Sequence, residues 1–393
     1  ISTIAMCLYG YGFVLTVFNK SLEETFNCTS KETSLLFSVC LVMFGLGILI
    51  SGYIYHRLKL RTMFAISTVM IGIGILLTAK ANSIEFCYLT IGALYGFGAG
   101  IGYKAQITSM LAWFPANTGG VGGILFMGTG LTAMIFNVPL NLWIEKYGWR
   151  NAFAILGWIT VLLLVINTLV VKPYPMDPFN RMNKKEGNKE RDIPGMSTGQ
   201  MIHTVRFWLF FIWCILMSSV SMTVASNSVA SAVTIGVTST TAAILSGLIS
   251  LFNSLSRIIY GVLYDKQGWK KTMTTATLFM ACSVGIILCA LWSGNKTMLI
   301  IGYVFLGLCF GSVHPISSAF TLQSFGAKYY SENYSVQGLF STISTFTGPL
   351  FLGYLYAMIG SYYKTYLVLV VFVVLAVLSF LGLTLVYKRN AEY

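Results

Sequence analysis

The chain has 393 residues, of which 56% are hydrophobic and only 9% charged, and its mean hydropathy is +0.76. No water-soluble domain of this size needs so much apolar surface, and the apolar residues fall in runs of roughly 18–25, the length that crosses a bilayer core. The net charge of +13 does not call for nucleic acid as a partner, because basic residues collect in the cytoplasmic loops of membrane proteins.

The runs predict an all-α polytopic membrane protein with twelve transmembrane helices in two pseudo-symmetric six-helix bundles. In chain order the spans are 1–19, 33–55, 62–80, 86–111, 118–144 and 150–171, then 204–233, 239–263, 271–293, 297–321, 335–360 and 363–387. Residues 172–203, rich in Pro, Asn, Lys and Glu, read as a solvated cytoplasmic linker between an N-terminal bundle, 1–171, and a C-terminal bundle, 204–393. The chain opens at Ile1 already inside an apolar run, so a short polar segment ahead of it is expected.

The basic residues set the orientation. With both termini cytoplasmic, 16 lysines and arginines fall on inner loops and 7 on outer ones, as the positive-inside rule requires of a multi-pass protein of the cell membrane. Two cations, Lys104 and Arg257, lie within spans. All twelve acids fall in loops or at span ends, so no carboxylate is expected beside Lys104. The eight cysteines show no paired Cys-x-x-Cys spacing and read as reduced thiols. No catalytic set, cofactor motif or metal-ligand cluster is expected, and a monomer is the default. The glycine runs at 96–102 and 119–130 lack the preceding strand of a phosphate loop. Their pairs Gly96/Gly100 and Gly98/Gly102 are spaced to let helices approach closely.

The two halves look duplicated. Gly52-Tyr53-Ile54-Tyr55-His56-Arg57 follows span two, and Gly261-Val262-Leu263-Tyr264-Asp265-Lys266 follows span eight. Val138-Pro139-Leu140 matches Gly348-Pro349-Leu350, and Ile91-Gly92 matches Ile301-Gly302, at one offset that also places Lys104 on His314. Internal symmetry between six-helix halves is a signature of secondary transporters.

The two Gly-x-x-x-(Asp/His)-(Arg/Lys) loops resemble the loop motif of the major facilitator superfamily, over nearly the whole chain. Within that superfamily, several pieces are similar to the oxalate/formate antiporter family and its monocarboxylate-transporter relatives. They are Tyr95–Tyr103, Trp113-Phe114-Pro115, Gly148-Trp149-Arg150-Asn151-Ala152-Phe153 and the helix-eight arginine, Arg257. The resemblance implies that Arg257 binds a substrate carboxylate and that Tyr11 and Tyr103 lie near wall positions of the site. It also implies a second cation on helix eleven, where this chain has Phe340 or Ser341 instead. Proton-coupled monocarboxylate carriers have an aspartate one turn before the arginine; this chain has Asn253.

Read from the residues themselves, Arg257 is either an anion-binding guanidinium, suited to paired hydrogen bonds with a carboxylate, or an arginine snorkelling to the inner headgroups. Asn253 shares its face. Lys104 is a binding or gating cation, or a packed one. His314, before Pro315, is a packed core histidine, an anion ligand or a proton carrier. Tyr9, Tyr11 and Tyr103 each offer an apolar wall with a hydroxyl. The expected function is secondary transport of organic anions, carboxylates, by alternating access, as exchange. The alternative is a proton-coupled symporter of monocarboxylates or larger amphipathic anions, with His314 titrating. A channel or receptor on the same scaffold is a third reading, and an enzyme the least supported.

Overall fold

The computed structural model describes residues 1–55, 57–114, 117–172 and 195–391. His56, Pro115 and most of the expected linker, with its basic residues from Arg181 to Arg191, lie outside the described residues.

Ten helices among the described residues are long and apolar enough to cross a bilayer. The two further crossings are present in other forms. Helix α1 (Ser2–Tyr9) continues as a 3₁₀ helix (Gly10–Phe18) and then α2 (Asn19–Phe26), so the first span is not one long helix. The cause is a side chain: the Tyr95 hydroxyl reaches the carbonyls of Leu8 and Tyr9, each at 3.2 Å, and accepts the Gly12 N–H at 3.2 Å. A polar group inserted into the backbone ladder is a standard reason for a helix to change pitch.

Next come α3 (Ser30–Ile54), α4 (Leu60–Thr78) and α5 (Ile84–Cys87), which runs through a π-helical stretch (Tyr88–Tyr95) into α6 (Gly96–Trp113). Helix α7 (Thr118–Val170) has 53 residues, about 80 Å if straight. That is too long for a bilayer. It holds two spans because Gly148, at φ 77°, breaks the helix in a conformation that a side chain resists.

The second half repeats the device. After α8 (Thr198–Ile202), α9 (Val205–Ser226) and α10 (Ser228–Thr234), helix α11 (Ser239–Ser293) runs 55 residues and breaks at Gly268, φ 73°. Both break glycines precede a tryptophan, Trp149 and Trp269. Then follow α12 (Lys296–Phe310), α13 (Val313–Phe325), α14 (Tyr330–Gln337) and α15 (Leu339–Thr345). A π turn (Phe346–Leu350) around Pro349 leads to α16 (Phe351–Ile359) and α17 (Tyr362–Ala391).

The described residues group into two compact units. One is drawn from Ile1–Pro115, Leu125–Pro194 and Tyr330–Val336, the other from Ala116–Ile124, Gly195–Tyr329 and Gln337–Tyr393. In each unit the soluble-protein arrangement is inverted. Large apolar side chains such as Trp158, Leu169 and Leu385 are exposed on the helices, while serines, threonines and asparagines are buried between them. That pattern suits lipid as the outer solvent, with small and polar residues holding helices together.

The glycine run in α6 does the close packing its spacing implies. A Cβ on Gly96 would meet the Cys40 carbonyl, and one on Gly100 the Phe44 carbonyl, both on α3. Cβ atoms on Gly98 and Gly102 would meet Met70 and Ser67 on α4. The start of α7, in the second unit, is tied to α11: the Asp265 carboxylate accepts the Gly119 N–H at 2.9 Å and the Gly120 N–H at 2.7 Å. Two of the orphan donors of a helix start thus meet a negative charge, which the helix dipole also favours.

Candidate functional site

Each unit holds its own group of candidate residues. In the second unit, Arg257 lies in α11 well before the Gly268 break and is 6% exposed. Its Nε donates to Asn253 Oδ1 at 3.5 Å, one turn away, as the helical period requires. Asn253 is neutral, so this long contact orients the guanidinium without neutralising it. Gly311, at the end of α12, keeps the space: a Cβ there would strike the Asn253 carbonyl, Ser256 Oγ and Arg257 Cγ.

His314 follows in α13, near enough for the charge of Arg257 to act on it. Its ring meets Phe340 of α15 edge-on, with centroids 5.4 Å apart. Phe340 is one of the two residues, with Ser341, that fall where the resemblance implies a cation.

In the first unit, Lys104 sits in α6 with 0% of its surface exposed. Its Nζ makes no hydrogen bond among the described residues. Instead it lies 4.5 Å from the centroid of the Tyr334 ring and 4.9 Å from that of Tyr330. These two rings, one turn apart on α14, stack at 5.5 Å with 7° between their planes. Cation–π contacts in a desolvated setting contribute about 2 kcal/mol, whereas burying an ammonium costs several kcal/mol. The rings alone do not offset that cost.

Glu332 stands between the two tyrosines in the sequence of α14, inside a helix that starts earlier than hydropathy places it. Hydropathy begins the eleventh span at 335, but the polar run Tyr330-Ser331-Glu332-Asn333-Tyr334 is already helical and largely buried. One signal could have found Glu332: it is the only acid between Asp265 and Glu392.

The tyrosines expected at the site are all buried in this same unit. Tyr9 ends α1 with its ring against Gly102, which has no side chain to displace it. Tyr11 meets Phe136 edge-on at 4.6 Å. Tyr103 lies 5.2 Å from Phe44 and 6.2 Å from Phe126. One turn beyond Lys104, Thr108 Oγ1 is buried without a hydrogen-bond partner among the described residues. Tyr95, which sets the bend after α1, was not singled out by the sequence reading.

Among the described residues, no three His, Cys, Asp or Glu side chains group as a metal ion would require.

Comparison with known proteins gives the family. The model of the Major Facilitator Superfamily matches residues 1–346 and, in a second match, 209–392. The chain is similar to the uncharacterized MFS-type transporter YhjX of Escherichia coli, 20% identical over 83% of this chain and 80% of that protein. It is 22% identical to monocarboxylate transporter 2 of Mus musculus, over 91% of this chain and 77% of that protein. It is 24% identical to the oxalate:formate antiporter of Oxalobacter formigenes, over 65% of this chain and 60% of that protein. Among solved structures, the proton:xylose symporter XylE bound to 6-bromo-6-deoxy-D-glucose has the same fold. Its TM-score is 0.74 at 16% identity, over 97% of this chain and 93% of that one. The chain therefore belongs to the Major Facilitator Superfamily and is a membrane transporter, not an enzyme.

Proposed function

We propose that this transporter carries small organic carboxylates across the cell membrane by alternating access, and that it works as an exchanger. The observation that carries the reading is Arg257: an arginine buried in a membrane-crossing helix, oriented by a neutral asparagine and flanked by His314. Buried cations in spans mark substrate pathways, and a planar guanidinium matches a carboxylate with two parallel hydrogen bonds. The printed names of two relatives, a monocarboxylate transporter and an oxalate:formate antiporter, support both the substrate class and exchange. Asn253 and His314 assist Arg257 in this reading, and Lys104 with Tyr9, Tyr11 and Tyr103 forms the candidate group of the first unit.

The test is a thermal-shift titration of the purified protein with formate, pyruvate and oxalate. A ligand at 100 times its Kd stabilises by about 2.7 kcal/mol, so at least one of these acids should raise the melting temperature. Arg257→Ala should abolish that rise, and Arg257→Lys should keep part of it. Equal rises in the wild type and Arg257→Ala would refute the assignment.

A further inference from the structure

We propose that the second unit binds one anionic phospholipid in the seam between the second arm of α11 and the end of α17. Lys270, Lys271 and Lys388 hold the phosphate, and an acyl chain runs along Leu278 and Leu381. The site lies on the lipid-facing surface and is independent of the carboxylate reading.

The two helices pack together within this unit, and their ends meet through aromatic rings. The Trp269 ring centroid lies 4.7 Å from that of Tyr387. The Tyr387 hydroxyl is fixed to Ser324 Oγ at 2.6 Å, and the Arg206 guanidinium lies 5.6 Å from the centroid of the tyrosine ring. Tryptophan and tyrosine at the end of a span mark the level of the headgroups. Each ring is followed in the chain by exposed lysines, Lys270 and Lys271 after Trp269 and Lys388 after Tyr387. Four cations thus stand around one aromatic pair.

Their counter-charge must come from outside the protein. Asp265 is the one acid of this unit among the described residues, and its two oxygens already accept the N–H groups of Gly119 and Gly120. Beyond the lysines, each helix is apolar on the same face. Lys388, Leu381 and Val374 follow one another at two-turn spacing along α17, as do Lys271 and Leu278 along α11, and all five are exposed. From Lys388 to Val374 is about 21 Å of helix, enough to reach from the headgroups to the middle of a bilayer whose core is about 30 Å thick. These stripes give an acyl chain a wall, which separates a lipid from a free anion. The cations select the headgroup. A zwitterionic lipid brings an ammonium of its own that finds no carboxylate here, whereas an anionic one brings only charge that attracts.

The experiment titrates the purified full chain, in a neutral maltoside detergent, with dioleoylphosphatidylglycerol and reads the melting temperature. The wild type should melt higher as this lipid is added, with a midpoint at lower concentration than for dioleoylphosphatidylcholine. Each cation near an anionic headgroup changes affinity about fivefold. The triple variant Lys270→Gln, Lys271→Gln, Lys388→Gln should therefore need about a hundredfold more phosphatidylglycerol. Lys388→Gln alone, at an exposed side chain, should need about fivefold more, and it decides the matter if the triple variant does not melt cooperatively. The double variant Lys296→Gln, Lys364→Gln removes two exposed cations at the starts of α12 and α17, the far end of these spans, and should match the wild type. Inorganic phosphate should neither raise the melting temperature nor shift the lipid titration. Equal midpoints for the two lipids, or an unchanged midpoint in the lysine variants, would overturn the proposal. So would an equal loss in the far-end double variant, or a rise with inorganic phosphate as large as that with the lipid.

Discussion

Removing the Asp265 carboxylate should loosen the start of α7 by an amount that the geometry lets us estimate. The side chain accepts two backbone N–H groups, from Gly119 at 2.9 Å and Gly120 at 2.7 Å. A hydrogen bond to a charged group contributes about 1.5–3 kcal/mol in favourable surroundings. Asp265 is exposed, so water and salt screen its charge and the pair together falls near the lower end of that range. The favourable placement of a negative charge at a helix N-terminus adds about 0.3–1 kcal/mol. Asp265→Ala should therefore cost about 2 kcal/mol, a fall of about 4–8 °C in melting temperature for a unit of this size. Asp265→Asn keeps one carbonyl acceptor without the charge and should lose roughly half as much. The measurement is a melting curve of each purified variant at low and high salt. The difference between wild type and Asp265→Ala should shrink as salt rises, since the charge-dependent part is screened. A melting temperature for Asp265→Ala within about 1 °C of the wild type would show that the two short contacts carry no net stability, and a gap that does not change with salt would show that the charge contributes none of it.

Two further predictions concern other features. Gly100→Ala places a methyl against the Phe44 carbonyl, the Ile48 nitrogen and Gly47 Cα, all backbone atoms that cannot rotate away. It should destabilise by about 1–3 kcal/mol, whereas Gly199→Ala, with nothing within 4 Å, should be neutral or slightly stabilising in the same melting assay. The Glu32 carboxylate accepts the Thr29 N–H at 2.7 Å and the Thr29 hydroxyl at 2.8 Å. These bonds, the backbone one foremost, hold it below its usual range of ionisation. Its contribution is thus full above the ordinary glutamate range near pH 4.3 and is lost as pH falls through the lowered folded value. Glu32→Gln should melt below the wild type at neutral pH and converge with it in acid.

Much of this architecture could be read from the sequence, and the exceptions share a cause. Runs of apolar residues located the spans because lipid demands an uninterrupted apolar stretch with every backbone group bonded internally. The helix-packing reading of Gly96–Gly102 also held, since spacing alone places those residues on the faces that meet α3 and α4. The first span misled because its shape depends on Tyr95, more than eighty residues away in sequence. The beginning of the eleventh misled because a polar run scores as loop, although its tyrosines face a buried lysine. Local hydropathy registers solvent preference; it does not register a partner supplied by a distant segment. Arg257 and Asn253 meet as their i, i+4 spacing requires, but the packing of Phe340 on His314 was not visible before the helices were placed.

The glycine breaks at Gly148 and Gly268 have a mechanical consequence. Each joins two long helical segments through a single residue. A connector of that length has no slack to absorb displacement, so neither arm can slide along its neighbour without dragging the other. The α11 pair, which lies whole within the second unit, should travel as one stiff hairpin.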